Sequence, residues 1–199
     1  MKNSLDPKKT RAILIGTSQF VDFNNIAPVK NNLTELEKVL ANENIFGLLP
    51  EKNIKVVKEP TDQELRRELI QYTKTAKKEG IQTLIVYFAG HGFRTRDGKY
   101  YLATKNSEKE QIRFDGSTAL AYDTVKKIIN ASQIPQTIIF IDACYSGAAA
   151  QGEGEKAFNE YVAKGTYTLT AADSTELAWY DTDAEHTIFT GELLNIFKN

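Results

Sequence analysis

Two short segments carry the residues best suited to covalent chemistry. Ala89-Gly90-His91-Gly92 follows the apolar run Leu84-Ile85-Val86-Tyr87-Phe88, and Asp142-Ala143-Cys144-Tyr145-Ser146-Gly147 follows Ile138-Ile139-Phe140-Ile141. Cys144 is the only cysteine in 199 residues. A free thiol has a pKa of about 8.5, so only a minority is thiolate at neutral pH. A neighbouring imidazole either takes its proton during attack or holds it as an ion pair. The glycines around His91, and Ser146 and Gly147 after Cys144, let the backbone turn sharply and expose both groups. Amide N–H groups in such turns also suit a developing oxyanion. The bland alternatives are a small buried hydrophobe for Cys144 and an ordinary turn residue for His91. Matching positions after two apolar runs favour the paired chemical reading.

That pairing demands neighbouring, parallel strands. Five runs read as strands, 12–15, 54–57, 84–88, 138–141 and 167–170. The third and fourth are apolar throughout, as expected for burial on both faces of a parallel sheet. Helical spacing lies between them. Leu33, Leu36, Val39 and Leu40 form one stripe, and Leu65, Leu69, Tyr72 and Ala76 another. Thr61-Asp62-Gln63-Glu64 opens the second with a capping-box pattern, and Gly80 supplies its stop. Val125, Ile128 and Ile129 mark a third helix, with Asp123 or Thr124 as its expected N-cap. A fourth is expected over 188–197. Alternation of this kind predicts a helix-covered parallel sheet. A flavodoxin-like strand order, 2-1-3-4-5, makes strands three and four neighbours and gathers the site at their carboxyl ends. Arg94-Thr95-Arg96-Asp97-Gly98 reads as a turn leading into Tyr100-Tyr101-Leu102, together a hairpin.

Composition narrows the function classes. Twenty-five basic against 26 acidic residues leave a net charge of −1, which argues against nucleic acid as the main partner. No apolar run approaches the roughly 20 residues of a bilayer span, and residues 1–9 lack the apolar core of a secretory signal. A lone cysteine asks for no oxidising compartment, so a cytoplasmic protein is expected. One cysteine and two histidines cannot build a cysteine-rich zinc site, and no metal is expected. The second histidine, His186, reads as a surface or loop residue.

Tyr87-Phe88-Ala89-Gly90-His91-Gly92 and Asp142-Ala143-Cys144-Tyr145-Ser146-Gly147 resemble the histidine and cysteine motifs of the caspase-like cysteine peptidases. Within these the chain looks closest to the bacterial relatives of metacaspases. Thr170-Ala171-Ala172-Asp173-Ser174-Thr175-Glu176-Leu177-Ala178, then Phe189-Thr190 and Leu193-Leu194, resemble the segment after the family's fifth strand. The resemblance implies a three-layer α/β sandwich over 11–199, with 1–10 as an N-terminal extension. It implies peptide-bond hydrolysis through an acyl-thioenzyme, with Cys144 as nucleophile and His91 as general acid/base. The N–H groups of Gly92 and Cys144 would form the oxyanion hole. No cofactor is required. Calcium activates some metacaspases, but no dense carboxylate loop is present to mark a site here.

Specificity follows from charge. Asp142, two residues before Cys144, faces the same side of an extended strand end. Two carboxylates about 4 Å apart repel by around 4 kcal/mol at an effective dielectric of 20, so an acidic substrate residue is disfavoured and Arg or Lys preferred. The alternative for Asp142 is a turn or cap carboxylate. By similarity, Asp173 or Glu176 would add a second acid to the pocket, against the plainer reading of solvated loop charges. Where many metacaspases carry Gly-Cys-x-Asn-Asp, this chain has Pro28-Val29-Lys30-Asn31-Asn32, so one usual carboxylate is replaced by Asn32. Asp22 is the candidate substitute. The segment 148–165, opening Ala148-Ala149-Ala150-Gln151-Gly152-Glu153-Gly154, reads as a mobile linker with Lys156 and Lys164 as self-processing sites or as ordinary surface lysines. A family-type sixth strand is not expected before the chain ends, which leaves dimerisation through it open. Expected partners are a protein or peptide substrate and a regulatory protein.

Two other functions compete with this one. A catalytically silent caspase-like module would bind without cutting. A flavodoxin-like nucleotide or flavin binder would use Gly16-Thr17-Ser18 after the first strand, though that turn lacks the longer glycine fingerprint.

Overall fold

A computed structural model describes residues 5–95, 98–114, 116–143, 165–171 and 184–198. Eight strands and six α-helices lie within them. The strands are β1 (Thr10–Gly16), β2 (Ile54–Lys58), β3 (Thr83–Ala89), β4 (Gly92–Arg94), β5 (Tyr100–Ala103), β6 (Ala119–Ala121), β7 (Gln136–Asp142) and β8 (Thr166–Thr170). The helices are α1 (Pro28–Ala41), α2 (Pro50–Asn53), α3 (Asp62–Lys78), α4 (Lys109–Phe114), α5 (Tyr122–Ser132) and α6 (Ile188–Lys198).

Five parallel strands form the central sheet in the order β2-β1-β3-β7-β8. This is the expected 2-1-3-4-5 order. Every residue of β1 and β3 is buried, because strands in the middle of a doubly covered sheet have no solvent face. Side chains alternate across the sheet. Ile13, Ile15, Leu84, Val86, Phe88, Ile139 and Ile141 pack on one side with Leu65 and Leu69 of α3 and Val125 and Ile129 of α5. Ala12, Leu14, Ile85, Tyr87 and Phe140 pack on the other with Leu33 and Leu36 of α1 and Leu193 and Leu194 of α6. The fold is thus an α/β sandwich of three layers, as expected. Among the described residues no helix is long and apolar enough to cross a membrane.

The capping box of α3 forms as its sequence implies. Thr61 Oγ1 accepts from the Glu64 amide (3.2 Å), and the Glu64 carboxylate accepts from the Thr61 amide (2.9 Å). Gly80 follows α3 at φ +68°, a left-handed conformation open to glycine. The expected cap of α5 is corrected. Its N-cap is Ala121, with no side-chain cap, because β6 runs straight into the helix. Asp123 lies inside the first turn and pairs with Lys126 at 2.6 Å. The hairpin of β4 and β5 gains a third antiparallel strand, β6, that local pattern did not reveal. Part of the 1–10 segment docks on the body, where Asn53 Nδ2 donates to the carbonyls of Thr10 (2.9 Å) and Pro7 (3.5 Å).

Thr61→Ala removes one cap and should cost about 1 kcal/mol. Leu65→Ala, at a fully buried position on the same helix, should cost roughly 2–5 kcal/mol. Urea midpoints read at constant slope would rank them in that order.

Candidate active site

β3 and β7 run parallel and adjacent, with Ala89 paired to Asp142 at their carboxyl ends. His91 lies two residues beyond Ala89, and sequence position 144 lies two beyond Asp142. Cys144 itself is outside the described residues, as are Asp173, Glu176, Lys156, Lys164 and the 148–164 part of the linker. Gly90 makes the crossing from strand to site possible. Its amide donates to the Asp142 carbonyl at 3.2 Å. A Cβ there would sit 3.2 Å from the Phe88 ring and 3.3 Å from the Thr17 carbonyl. Gly92 begins β4, paired with Leu102, and the His91 carbonyl accepts from the Ala103 amide at 2.9 Å. The hairpin therefore grips the histidine from its C-terminal side.

The His91 ring is held by the loop after β1. Its Nε2 lies 2.8 Å from the Asn24 carbonyl oxygen. A carbonyl only accepts, so Nε2 carries the hydrogen and Nδ1 is left as the neutral ring's lone pair. Phe20, Phe23 and Phe93 surround the ring, with centroids at 4.7, 5.6 and 6.0 Å. Burial among them lowers the imidazole pKa; the Asn24 carbonyl opposes this, and the charge of Lys109 adds to it. A histidine so placed is neutral, and ready to accept a proton, at neutral pH.

Asp22 tethers the same loop. Its Oδ2 accepts from the Lys109 amide at the start of α4 (2.8 Å), while Lys109 Nζ lies 5.3 Å from the Phe23 ring centre. The structure thus places Asp22 near the histidine's aromatic shell and not among the contacts of Asp142.

Asp142 is 4% exposed and its Oδ2 collects an unusual set of donors. Thr187, just before α6, and Thr190, in its first turn, both donate their hydroxyl hydrogens, Thr190 at 2.5 Å. Tyr87 of β3 lies behind Thr190, its hydroxyl 2.7 Å from Thr190 Oγ1 and 3.3 Å from the carboxylate. Asn32 of α1 donates to Thr187 Oγ1 (2.8 Å) and to the carboxylate (3.4 Å). Burial nevertheless raises the Asp142 pKa, outweighing the Thr187, Thr190 and Tyr87 hydroxyls that lower it. Asn32 therefore acts as a donor to Asp142 and does not supply a second acid.

Sequence reasoning missed most of this cluster. His186 is a loop residue, as expected, but it is half-buried and has a partner: its Nδ1 donates to Asn32 Oδ1 across 3.2 Å. The one local hint was the three-residue spacing of Thr187 and Thr190 at a helix start, which puts two hydroxyls on one side. The Gly16-Thr17-Ser18 turn is also occupied. Glu59 accepts from the Ser18 and Gln19 amides at 3.1 Å and from Ser18 Oγ at 2.5 Å. A carboxylate already on those amides repels a phosphate. Gly16 has a packing reason of its own, since a Cβ would come within 2.6 Å of Leu33 and 2.8 Å of Val29.

A parallel sheet covered on both faces, with an imidazole and a buried carboxylate at the carboxyl ends of adjacent central strands, defines an α/β protein whose titratable groups gather where such sheets bind their ligands. Residues 9–199 match the Peptidase_C14 caspase domain, and the chain belongs to this family of cysteine peptidases. No curated protein matches it.

His91 should titrate below the ordinary histidine value of about 6.5, with Nε2–H as the neutral tautomer, in ring-selective NMR. Because the native ring resists protonation, its contribution to stability is complete above that value and falls as pH drops below it. Phe23→Ala admits water and should raise the His91 pKa; an unchanged value would remove burial as the cause.

Proposed function

We propose that this chain is a cysteine endopeptidase that cuts after Arg or Lys, with His91 and Cys144 as its dyad. The observation that carries the reading is the parallel register of β3 and β7, which supports the histidine and cysteine segments leaving adjacent strand ends in step. In this scheme His91 Nδ1 takes the Cys144 thiol proton. The sulfur attacks the peptide carbonyl carbon, and the oxyanion rests on the N–H groups of Gly92 and Cys144. The C–N bond then breaks as the imidazolium protonates the leaving amine. Water, losing its proton to His91, attacks the thioester and releases the acid and the free thiol. No step calls for a metal or cofactor, and calcium would enter only as an activator.

Asp142 is the acid that would receive the basic side chain, with Asp173 or Glu176 as a second carboxylate. Its closed donor shell supports a regulated enzyme: the charge is screened by hydroxyls that a guanidinium or ammonium must rearrange. Cleavage at Lys156 or Lys164, or a regulatory protein, would supply such a rearrangement in the cytoplasm. The same closure favours one second reading, a silent binding module. Labelling of Cys144 by a peptide electrophile, lost in His91→Ala, speaks for the enzyme; absence of labelling speaks for the module.

Matched fluorogenic peptides ending in Arg, Lys or Asp, with and without calcium, test the proposal. Cleavage after Arg or Lys should vanish in Cys144→Ala and fall by roughly 10²–10⁴-fold in His91→Ala. Asp142→Asn should lose roughly a hundredfold on basic substrates without a fall in melting temperature at neutral pH, because ionised Asp142 is disfavoured by burial. Cleavage after Asp would overturn the pocket assignment.

A further inference from the structure

The α1/α6 side of the sheet holds a partly open cavity of about 200 Å³. Leu14, Leu36, Ile138, Leu193, Phe197 and the ring of Tyr87 are among its walls, and every lining side chain is aliphatic or aromatic. A dry apolar cavity of about 150 Å³ accepts a benzene ring, because water has no polar partner there and dispersion contacts are left unmade. This one has room for a somewhat larger ring system or a short branched chain. A charged or strongly polar ligand would lose its hydration without compensation.

Two walls of the cavity also belong to the site described above. Tyr87 presents its ring to the cavity and its hydroxyl to Thr190 and Asp142. Leu193 and Phe197 lie on α6, the helix whose first turn carries Thr190, a direct donor to Asp142. Filling the space between α6 and β3 thus acts on the same two elements that hold the carboxylate. We propose that this cavity is a regulatory site for a small uncharged apolar ligand, which steadies Tyr87 and α6 and so favours the arrangement of Asp142 that receives a basic side chain. The binding half stands by itself; the effect on cleavage rests on the peptidase reading. Linkage makes the effect reciprocal, so a basic ligand near Asp142 tightens the cavity ligand by the same factor.

Indole is the probe, tested on the full chain. It should raise the melting temperature saturably and give a one-site isotherm by calorimetry. It should also lower KM for the Arg peptide at least threefold while shifting the Asp142 carboxyl ¹³C signal. Leu193→Trp, which fills the cavity from α6, should abolish binding; Ile138→Phe does so from the sheet if the first variant fails to fold. Tyr87→Phe keeps the ring and removes the hydroxyl, so it should bind indole yet lose the shift in KM and at Asp142. Absence of saturable binding, or equal binding in both cavity-filled variants, overturns the site. Binding seen only after residues 1–4 are removed also overturns it, since the chain's own end would then be the occupant. Binding that leaves both KM and the Asp142 signal unmoved overturns the coupling. If no peptide is cleaved under any condition while indole binds and moves the Asp142 signal, the peptidase reading has failed and the ligand site stands.

Discussion

A buried carboxylate without donors is among the costlier things a fold can contain, and the carboxyl edge of this sheet is arranged around one. Asp142 draws Thr187 from just before α6, Thr190 from its first turn, Asn32 from α1 and Tyr87 from β3 to a single oxygen. These partners lie on three separate elements, so the contact sets where both helices sit against the sheet. Desolvation still outweighs the donors and holds the acid above its ordinary pKa. A carboxylate kept under that tension gains most from a cation that brings a full charge, which is the physical basis for reading it as a pocket for Arg or Lys.

The histidine side of the site depends on a different balance. His91 is shielded by three phenylalanines and oriented by one backbone carbonyl. The shielding favours the neutral ring and the carbonyl decides which nitrogen keeps its hydrogen. Both come from loop and hairpin residues anchored elsewhere: Glu59 on Ser18 and Gln19, and Asp22 on the start of α4. Glu59 adopts φ +50° to reach those amides, a conformation that a residue with a side chain rarely holds without compensation. Its three hydrogen bonds provide it. The loop whose amides face Glu59 is an internally braced support for the imidazole, with no amide left for a phosphate at Ser18 or Gln19.

Much of the fold was legible in the residues. The runs at 84–88 and 138–141 announced strands buried on both faces, and the stripes Leu65-Leu69-Tyr72-Ala76 and Leu33-Leu36-Val39-Leu40 announced helices. Apolar periodicity is a local record of which face will be buried. Where burial was not periodic the record failed. The three-residue β6 is too short to show a period, and it displaced the expected cap of α5. His186 is the loop residue that its surroundings in the chain suggest, but nothing beside it reveals that Asn32, 154 positions earlier, accepts its Nδ1 hydrogen.

What the sequence by itself determined is the set of strands and helices, their order in the sheet, and the appearance of histidine and cysteine segments after the two central strands. Those follow from side-chain pattern and from the handedness of parallel crossovers. The tertiary structure alone decided the hydrogen-bond environment. It put Asn32 on Asp142 as a donor, fixed the His91 tautomer through Asn24, spent Asp22 on the α4 backbone and closed the Ser18 turn with Glu59. Each of these is a directional contact between residues 41 to 110 positions apart. Directional contacts at that range leave no trace in local composition, because they form only after burial has brought the elements together.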